Sequence, residues 1–259
     1  MIRICEVHSL HCQTERIIRA CLKSRHDGQL IFIAPESSKA SVERIVTSKV
    51  SEDEHSALTS SDIRITSSWV DGDVVSFIRL AVRIRDTCGV SDGGSSDKIV
   101  LRNAIYRILV SHHNEFKTFG KFLGKFEYVD AITDLLGDFR RYGISQDGIS
   151  AAYESAFDDP SASVYADKLH DLKLLTMYMN EIDLEFNLKL MSDPISEASK
   201  LLKSLIDSPE LLDSRRYRSL KALIGSTYAV IGFGNIRLLT PQEISFVHLL
   251  SELGCCFNF

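Results

Sequence analysis

Two short runs of this chain, Leu30-Ile31-Phe32-Ile33-Ala34 and Tyr228-Ala229-Val230-Ile231-Gly232-Phe233, are apolar at successive rather than alternate positions. A strand that shows one face to water alternates. A strand covered by helices on both faces, as in a parallel sheet, does not. The two runs lie far apart, and no strand pattern recurs between Ile99 and Ala222. Such a chain is constrained to build one sheet from its two ends, with a helical insertion between them.

The rest of the pattern fills in this plan. Ile2–Val7 reads as a strand and Thr14–Leu22 as a helix. Pro35 ends the first apolar run, and Ser37–Ser48 is helical, with Val42, Ile45 and Val46 on one face. Ile63–Thr66 alternates like a strand. Asp73–Arg85 has helical spacing through Val74, Phe77, Ile78, Ala81, Val82 and Ile84. The stretch Asp86–Asp97, with Gly89, Gly93 and Gly94, is a linker. Helices are then expected over Ile99–Val110, Glu115–Leu123, Tyr128–Tyr142 (stopped by Gly143), part of Ser145–Pro160, Val164–Leu190 and Ile195–Ile206. Thr240-Pro241-Gln242-Glu243 is a capping box with proline at the first helical position, and it starts a helix at Pro241. Cys255–Phe259 opens one more strand. The expected organisation is an α/β core over 1–90 plus 223–259 and a helical insertion over 97–222. An unfinished strand exposes a sheet edge, so the chain is expected to be the N-terminal piece of a longer one.

Composition excludes some classes. The 259 residues carry a net charge of −5, so no global basic field draws in nucleic acid, although a local basic face is compatible with it. No apolar run approaches the roughly 18 residues of a membrane helix. The N-terminus Met-Ile-Arg-Ile-Cys-Glu lacks a signal-peptide pattern, and a cytoplasmic location is the expectation. The six cysteines include no C-x-x-C pair, and Cys5 and Cys21 read as core thiols.

The turn between the first strand and helix is chemically unexpected. A phosphate-binding loop at that place needs glycines whose N–H groups wrap the phosphate, a lysine for the outer phosphates and a hydroxyl for magnesium. Here the turn is His8-Ser9-Leu10-His11-Cys12-Gln13, and only Thr14 keeps its expected character.

Taken in order, the residues resemble the N-terminal helicase-like region of the AddB subunits of bacterial AddAB helicase–nucleases. That family carries G-x-x-G-x-G-K-T-E, V-P-E-Q, S-F-x-R-L-A, F-K-R-Y-G-I, I-D-G-F and F-T-P-Q-E. The corresponding stretches here are Val7–Glu15, Ala34–Ser37, Ser76–Ala81, Phe139–Ile144, Ile231–Phe233 and Thr240–Glu243. Each is weak alone; their order and spacing across the chain are specific. The resemblance implies a parallel-sheet, P-loop NTPase-like (RecA-like) helicase domain. It implies an AddA-like helicase–nuclease partner, contact with DNA, a role in processing double-strand DNA ends for recombinational repair, and no membrane. It places the family's nuclease and its cysteine-held iron–sulfur cluster towards the C-terminus, outside this stretch.

The departures decide the chemistry. Gln13 stands at the phosphate-loop lysine, and Ile231 stands at the aspartate of the magnesium and catalytic-base strand. An amide cannot neutralise charge developing on a phosphoryl group, and isoleucine cannot hold metal-bound water. Phosphoryl transfer is almost wholly positional and electrostatic, so losing both parts removes it. The nucleotide-site remnants are therefore Gln13 and Thr14, with no catalytic residue, no metal site and no cofactor expected in this stretch. The expected role is a scaffold that docks a partner and guides a DNA strand. Two other readings remain open: a nucleotide-dependent enzyme with an unorthodox loop, and an interaction module without a DNA role.

Candidate DNA contacts are Ser37, Ser38 and Lys39, where hydroxyls, a lysine and a helix start suit phosphate; an ordinary N-cap explains the serines equally. Trp69 could stack on a base or pack in the core. Arg215, Arg216 and Arg218, with Tyr217 and Lys221, form the densest basic cluster, which suits nucleic acid or a solvated helix face paired to Asp207, Glu210 and Asp213. Arg140 and Arg141 pose the same choice. His8/His11 and His112/His113 lack further ligands at metal spacing.

Overall fold

The computed structural model describes residues 2–3, 17, 30–46, 74–90, 98–122, 125–158, 165–186, 190, 193–214, 217–225, 227–231 and 239–258. Two compact units emerge: Met1–Val90 with Pro194–Phe259, and Ser91–Asp193.

The first unit is built on a parallel sheet. Its strands are β1 (Ile2–Arg3), β2 (Leu30–Ile33), β3 (Val74–Val75), β4 (Thr227–Val230) and β5 (Cys256–Asn258), in the spatial order β1-β5-β4-β2-β3. Every neighbouring pair is parallel. The two runs without alternation, β2 and β4, are central and paired in register, Ile31 with Tyr228 and Ile33 with Val230. Their side chains feed two separate cores. Ile31, Ile33, Tyr228 and Val230 point into one, with Phe77, Leu80 and Ile84 of α2 (Phe77–Thr87), Ile195, Ala198, Leu202 and Leu205 of α7 (Pro194–Asp207), Leu220 of α8 (Arg218–Ile224), and Phe246 and Leu250 of α9 (Pro241–Glu252). Leu30, Phe32, Ala34, Ala229 and Ile231 point into the other, with Ile17 and with Val42 and Val46 of α1 (39–46). Both faces of the sheet are thus covered, which is why these strands show no polar alternation.

Val74 and Val75, which the sequence pattern put in a helix starting at Asp73, form β3 instead. They are β-branched and buried, and they pair with Phe32 and Ile33. Ser76 makes the change of state. It is extended (φ −85°, ψ 165°), and its side chain accepts from Arg79 N–H, so the helix starts one residue later at Phe77.

The second unit is helical. It contains α3 (Lys98–Ser111), α4 (Phe126–Tyr142), α5 (Gln146–Asp158) and α6 (Ala166–Phe186). Its core joins Leu101, Ile105 and Ile108 to Val129, Ile132 and Leu136, and to Leu172, Leu175 and Met179. No strand occurs among its described residues. The helical stretch expected over 97–222 therefore divides: Ser91–Asp193 is compact by itself, while α7 and α8 pack into the sheet unit through their apolar faces. The segment Glu115–Leu123, expected to be helical, holds turns and a short 3-10 helix at Phe119–Phe122. There Gly120 sits so close to the His113 carbonyl that a Cβ would overlap it. No helix among the described residues is long and apolar enough to cross a membrane.

Candidate functional site

Parallel strands carry all their C-terminal ends to one edge of the sheet, which is where α/β proteins assemble ligand sites. In this protein the edge gathers Pro35–Ser38 after β2, Ser76 after β3 and Ile231 after β4. The backbone closes tightly there. Ala34 N–H donates to Val75 O at 2.9 Å, and Ile231 N–H donates to Ile33 O at 2.8 Å.

The chemistry of the edge centres on Glu36. Its Oε1 accepts from Ser76 Oγ at 2.9 Å and from Arg79 Nε at 3.0 Å. Ser76 is buried and bridges two elements, since its hydroxyl donates to Glu36 while accepting from Arg79 N–H at 3.3 Å. These bonds hold the Glu36 carboxyl below its ordinary range; the Ser76 hydrogen bond is the largest cause, with Arg79 and Lys39 adding positive charge. Glu36 is therefore ionised and engaged at neutral pH, which makes it a structural acceptor and a poor general base. Two stretches of the sequence pattern, Ala-Pro-Glu and Ser-Phe-Ile-Arg-Leu-Ala, thus meet in a single cluster of hydrogen bonds.

Ser38 stands before α1, and its carbonyl accepts from Val42 N–H at 3.0 Å. Its hydroxyl turns back and donates to Pro35 O at 3.1 Å, so it closes the turn rather than capping an amide. Ser37 is exposed, and Lys39 is 3.6 Å from Glu43 on its own helix. Ile231 is 1% exposed in the apolar core that includes Ile17, Phe32 and Ala229. Arg218 is exposed at the start of α8. Gln13, Thr14, Trp69, Arg215 and Arg216 lie outside the described residues, as does the turn His8–Gln13.

The other patterned stretches also end in backbone contacts. At Phe139–Ile144, Gly143 adopts φ 71°, its N–H meets Arg140 O, and Ile144 N–H meets Phe139 O, which terminates α4. Arg140 reaches across to the Leu190 carbonyl at 2.9 Å, and Asp183 receives Leu190 N–H at 2.9 Å. Burial lowers the Arg140 value, while Asp193 and Asp183 oppose that. At Thr240–Glu243 the capping box is complete: Thr240 Oγ1 accepts from Glu243 N–H at 3.2 Å, and Glu243 Oε2 accepts from Thr240 N–H at 2.8 Å.

Two features of the helical unit have no counterpart in the sequence pattern. Asp171, fully buried, accepts from the N–H groups of Lys117, Thr118 and Phe119 at 2.9, 2.6 and 2.8 Å. Nothing in sequence links it to them, because the contacts span more than 50 positions. His112 stacks on Tyr178 at 3.9 Å and bonds Glu115, and the Tyr178 hydroxyl donates to Glu115 at 2.5 Å. That hydrogen bond pushes Tyr178 up to about 12. His112 and Tyr178, with Arg107, Ser111 and Glu181, line an open pocket of about 200 Å³. No group of three or more His, Cys, Asp or Glu with metal-binding geometry occurs among the described residues. Burial pushes the Cys255 thiol to about 12, so it is not poised as a metal ligand.

Comparison with known proteins adds a consistent pattern. A family model described as ADDB, N-terminal matches residues 9–206. The chain is 26% identical over 169 residues to an ATP-dependent helicase/deoxyribonuclease subunit of Heliobacterium modesticaldum, covering 61% of this chain and 12% of that protein. It is 26% identical over 192 residues to the protein of the same description from Pelotomaculum thermopropionicum, covering 74% and 15%. It is 22% identical over 227 residues to that of Clostridium kluyveri, covering 82% and 18%. The matched stretch is thus less than a fifth of each of these curated relatives.

Proposed function

The chain belongs to the family described as ADDB, N-terminal, and from that membership we propose that it is the N-terminal, RecA-like helicase region of an AddB-type subunit, acting as a scaffold without catalysis of its own. Together with an AddA-like helicase–nuclease subunit it would take part in processing double-strand DNA ends for recombinational repair in the cytoplasm. The stretch supplies shape, partner docking and strand guidance. Any nuclease and iron–sulfur cluster belong to other parts of such a subunit.

The observation that carries the non-catalytic reading is Ile231. It stands at the end of β4, where an ATP-hydrolysing member would place a magnesium-holding aspartate, and it is sealed at 1% exposure among aliphatic side chains. An apolar core has no place for an ion and its water shell. Gln13 in place of the lysine removes the second part. The patterned stretches around the sheet edge support the same reading, since each of those described serves a backbone or side-chain hydrogen bond that holds the fold.

The test is ATP turnover by the purified chain with and without single-stranded DNA, beside a Thr14→Ala variant. The expected result is no turnover above the variant's background and no nucleotide-dependent rise in melting temperature. DNA-stimulated turnover that Thr14→Ala abolishes would overturn the scaffold reading in favour of an enzyme with an unorthodox loop.

A further inference from the structure

The segment from Phe116 to Phe126 reads F-K-T-F-G-K-F-L-G-K-F: four phenylalanines and three lysines interleaved, with no acidic residue. Its members divide cleanly in space. Phe116 and Phe119 are buried in the helical core, and Lys117 pairs with Asp167 at 3.1 Å. Lys121, Phe122, Lys125 and Phe126 remain outside. Phe126 is 59% exposed and lies nearly parallel to Tyr106 of α3, with ring centres 5.7 Å apart at 20°. Phe122 packs on Tyr128 at 4.4 Å and keeps 37% of its surface open.

Charge accompanies the rings. The Lys125 ammonium lies 5.8 Å from the centre of Phe122. Neither Lys121 nor Lys125 forms an ion pair with a described residue. The nearby cations Lys98 and Arg102 are neutralised by Asp134 and Asp130 at 2.6 and 2.7 Å. Glu127 is the exposed acid beside Phe126. Lys125 therefore sits against the Phe122 ring, Lys121 is exposed beside Phe122 in sequence, and the Arg102 guanidinium lies 5.8 Å from the centre of the Phe126 ring.

The turn that leads into Lys121 is also held in place. Asp171 clamps the amides of 117–119, and the close approach of Gly120 to the His113 carbonyl fixes the turn just before Lys121. Preorganised rings lose little freedom on binding.

We propose that this face of the helical unit is a platform for single-stranded DNA, with bases stacking on Phe126 and Phe122 and phosphates resting on Lys121 and Lys125. Aromatic rings interleaved with uncommitted lysines supply what a single strand needs: π faces for any base and cations at the backbone. The choice of DNA rests on the AddB-type reading above.

The test uses the full chain and fluorescein-labelled dT15, with anisotropy read over a salt series. The variants are Phe122→Leu with Phe126→Leu, and Lys121→Gln with Lys125→Gln, each checked by circular dichroism for native helix content. The aromatic variant is expected to bind about tenfold or more weakly, the loss of one to two stacked bases. The lysine variant is expected to flatten the slope of log K against log salt by about 1.4, two phosphate contacts on a single strand. Wild-type affinity and slope in both variants would overturn the platform and leave the AddB-type reading intact, with DNA held elsewhere. Absence of dT15 binding by the wild-type chain at low salt would overturn it too. So would self-association of the chain that the leucine variant dissolves, which would make the face an interface between copies. The AddB-type reading stands or falls separately, on whether the chain co-purifies with an AddA-like subunit.

Discussion

Glu36 Oε1 and Ser76 Oγ lie 2.9 Å apart although 40 residues separate them. Through this bond the turn after β2 is tied to the start of α2, and Arg79 adds a second donor to the same oxygen. The ends of two neighbouring strands are fixed relative to one another at the edge where an α/β protein handles ligands. The contact explains a glutamate after one strand and a serine and arginine around the next as one hydrogen-bonded unit.

A pH dependence follows from it. The folded carboxyl of Glu36 lies below its unfolded value of about 4.3. A lowered folded value means the contribution is fully present above the unfolded value and is lost as pH falls through the folded one. Glu36→Gln should therefore melt below the wild type at pH 7, and the gap should close as pH falls below about 4. Thermal unfolding of both proteins over pH 3–8 checks this; a gap constant across that range would remove the charge from the account.

On the proposed scaffold reading, Ile231→Asp tests whether the end of β4 has room for a carboxylate and an ion. Placed in a core that is 1% exposed at this position, an aspartate loses water without gaining a partner. The variant should be destabilised by at least about 3 kcal/mol in urea unfolding and should gain no ATPase activity. Retained stability together with magnesium binding would show room for an ion that the aliphatic surroundings argue against.

Asp171 anchors three amides from a completely buried position. Asp171→Asn replaces one acceptor with a donor and removes the charge. It should cost roughly 2–4 kcal/mol in denaturant unfolding. Hydrogen exchange at 117–119 should speed up more than in the sheet unit.

The capping box at Thr240 and Glu243 should behave as one device. Thr240→Ala should cost about 1 kcal/mol. The double variant with Glu243→Ala should cost less than the sum of the singles, because each side chain satisfies the other's amide. Denaturant midpoints of the four proteins in the cycle supply the measurement.

The fold was legible wherever local physics dominates. The runs at Leu30–Ala34 and Tyr228–Phe233 announced central strands because burial on both faces removes alternation. Gly143 and Thr240-Pro241 marked helix ends because left-handed backbone and an N-terminal proline have few other uses. The pattern failed at Val74-Val75, where valines fit a helix face as well as a strand and only pairing with Phe32 and Ile33 decides. It failed again at Glu115–Leu123, where a close backbone approach at Gly120 overrides apolar spacing. The split at Asp193 was hidden because an amphipathic face does not reveal which core it will join. At the candidate site, Glu36 was visible in one motif and Ser76 and Arg79 in another, but spacing alone did not show that the two meet. Asp171 was invisible, since an acid on a helix looks solvated until three distant amides converge on it. The lysine–phenylalanine interleaving from Phe116 to Phe126 was present in the sequence as a signal, but spacing alone does not tell which rings turn outward.

The place of β5 in the sheet has a consequence for synthesis. Ile2 pairs with Phe257, and β5 lies between β1 and β4, so the strand that joins the first residues to the rest of the sheet is made about 250 residues after them. At about 5–20 residues per second, β1 waits on the order of 10–50 s for its described partner to leave the ribosome. During that interval the nascent chain carries an unsatisfied β edge beside two apolar strand runs, a state prone to aggregation. The helical unit Ser91–Asp193, whose contacts are local by comparison, can form meanwhile. Its early folding would shorten the path between the two halves of the sheet before they meet.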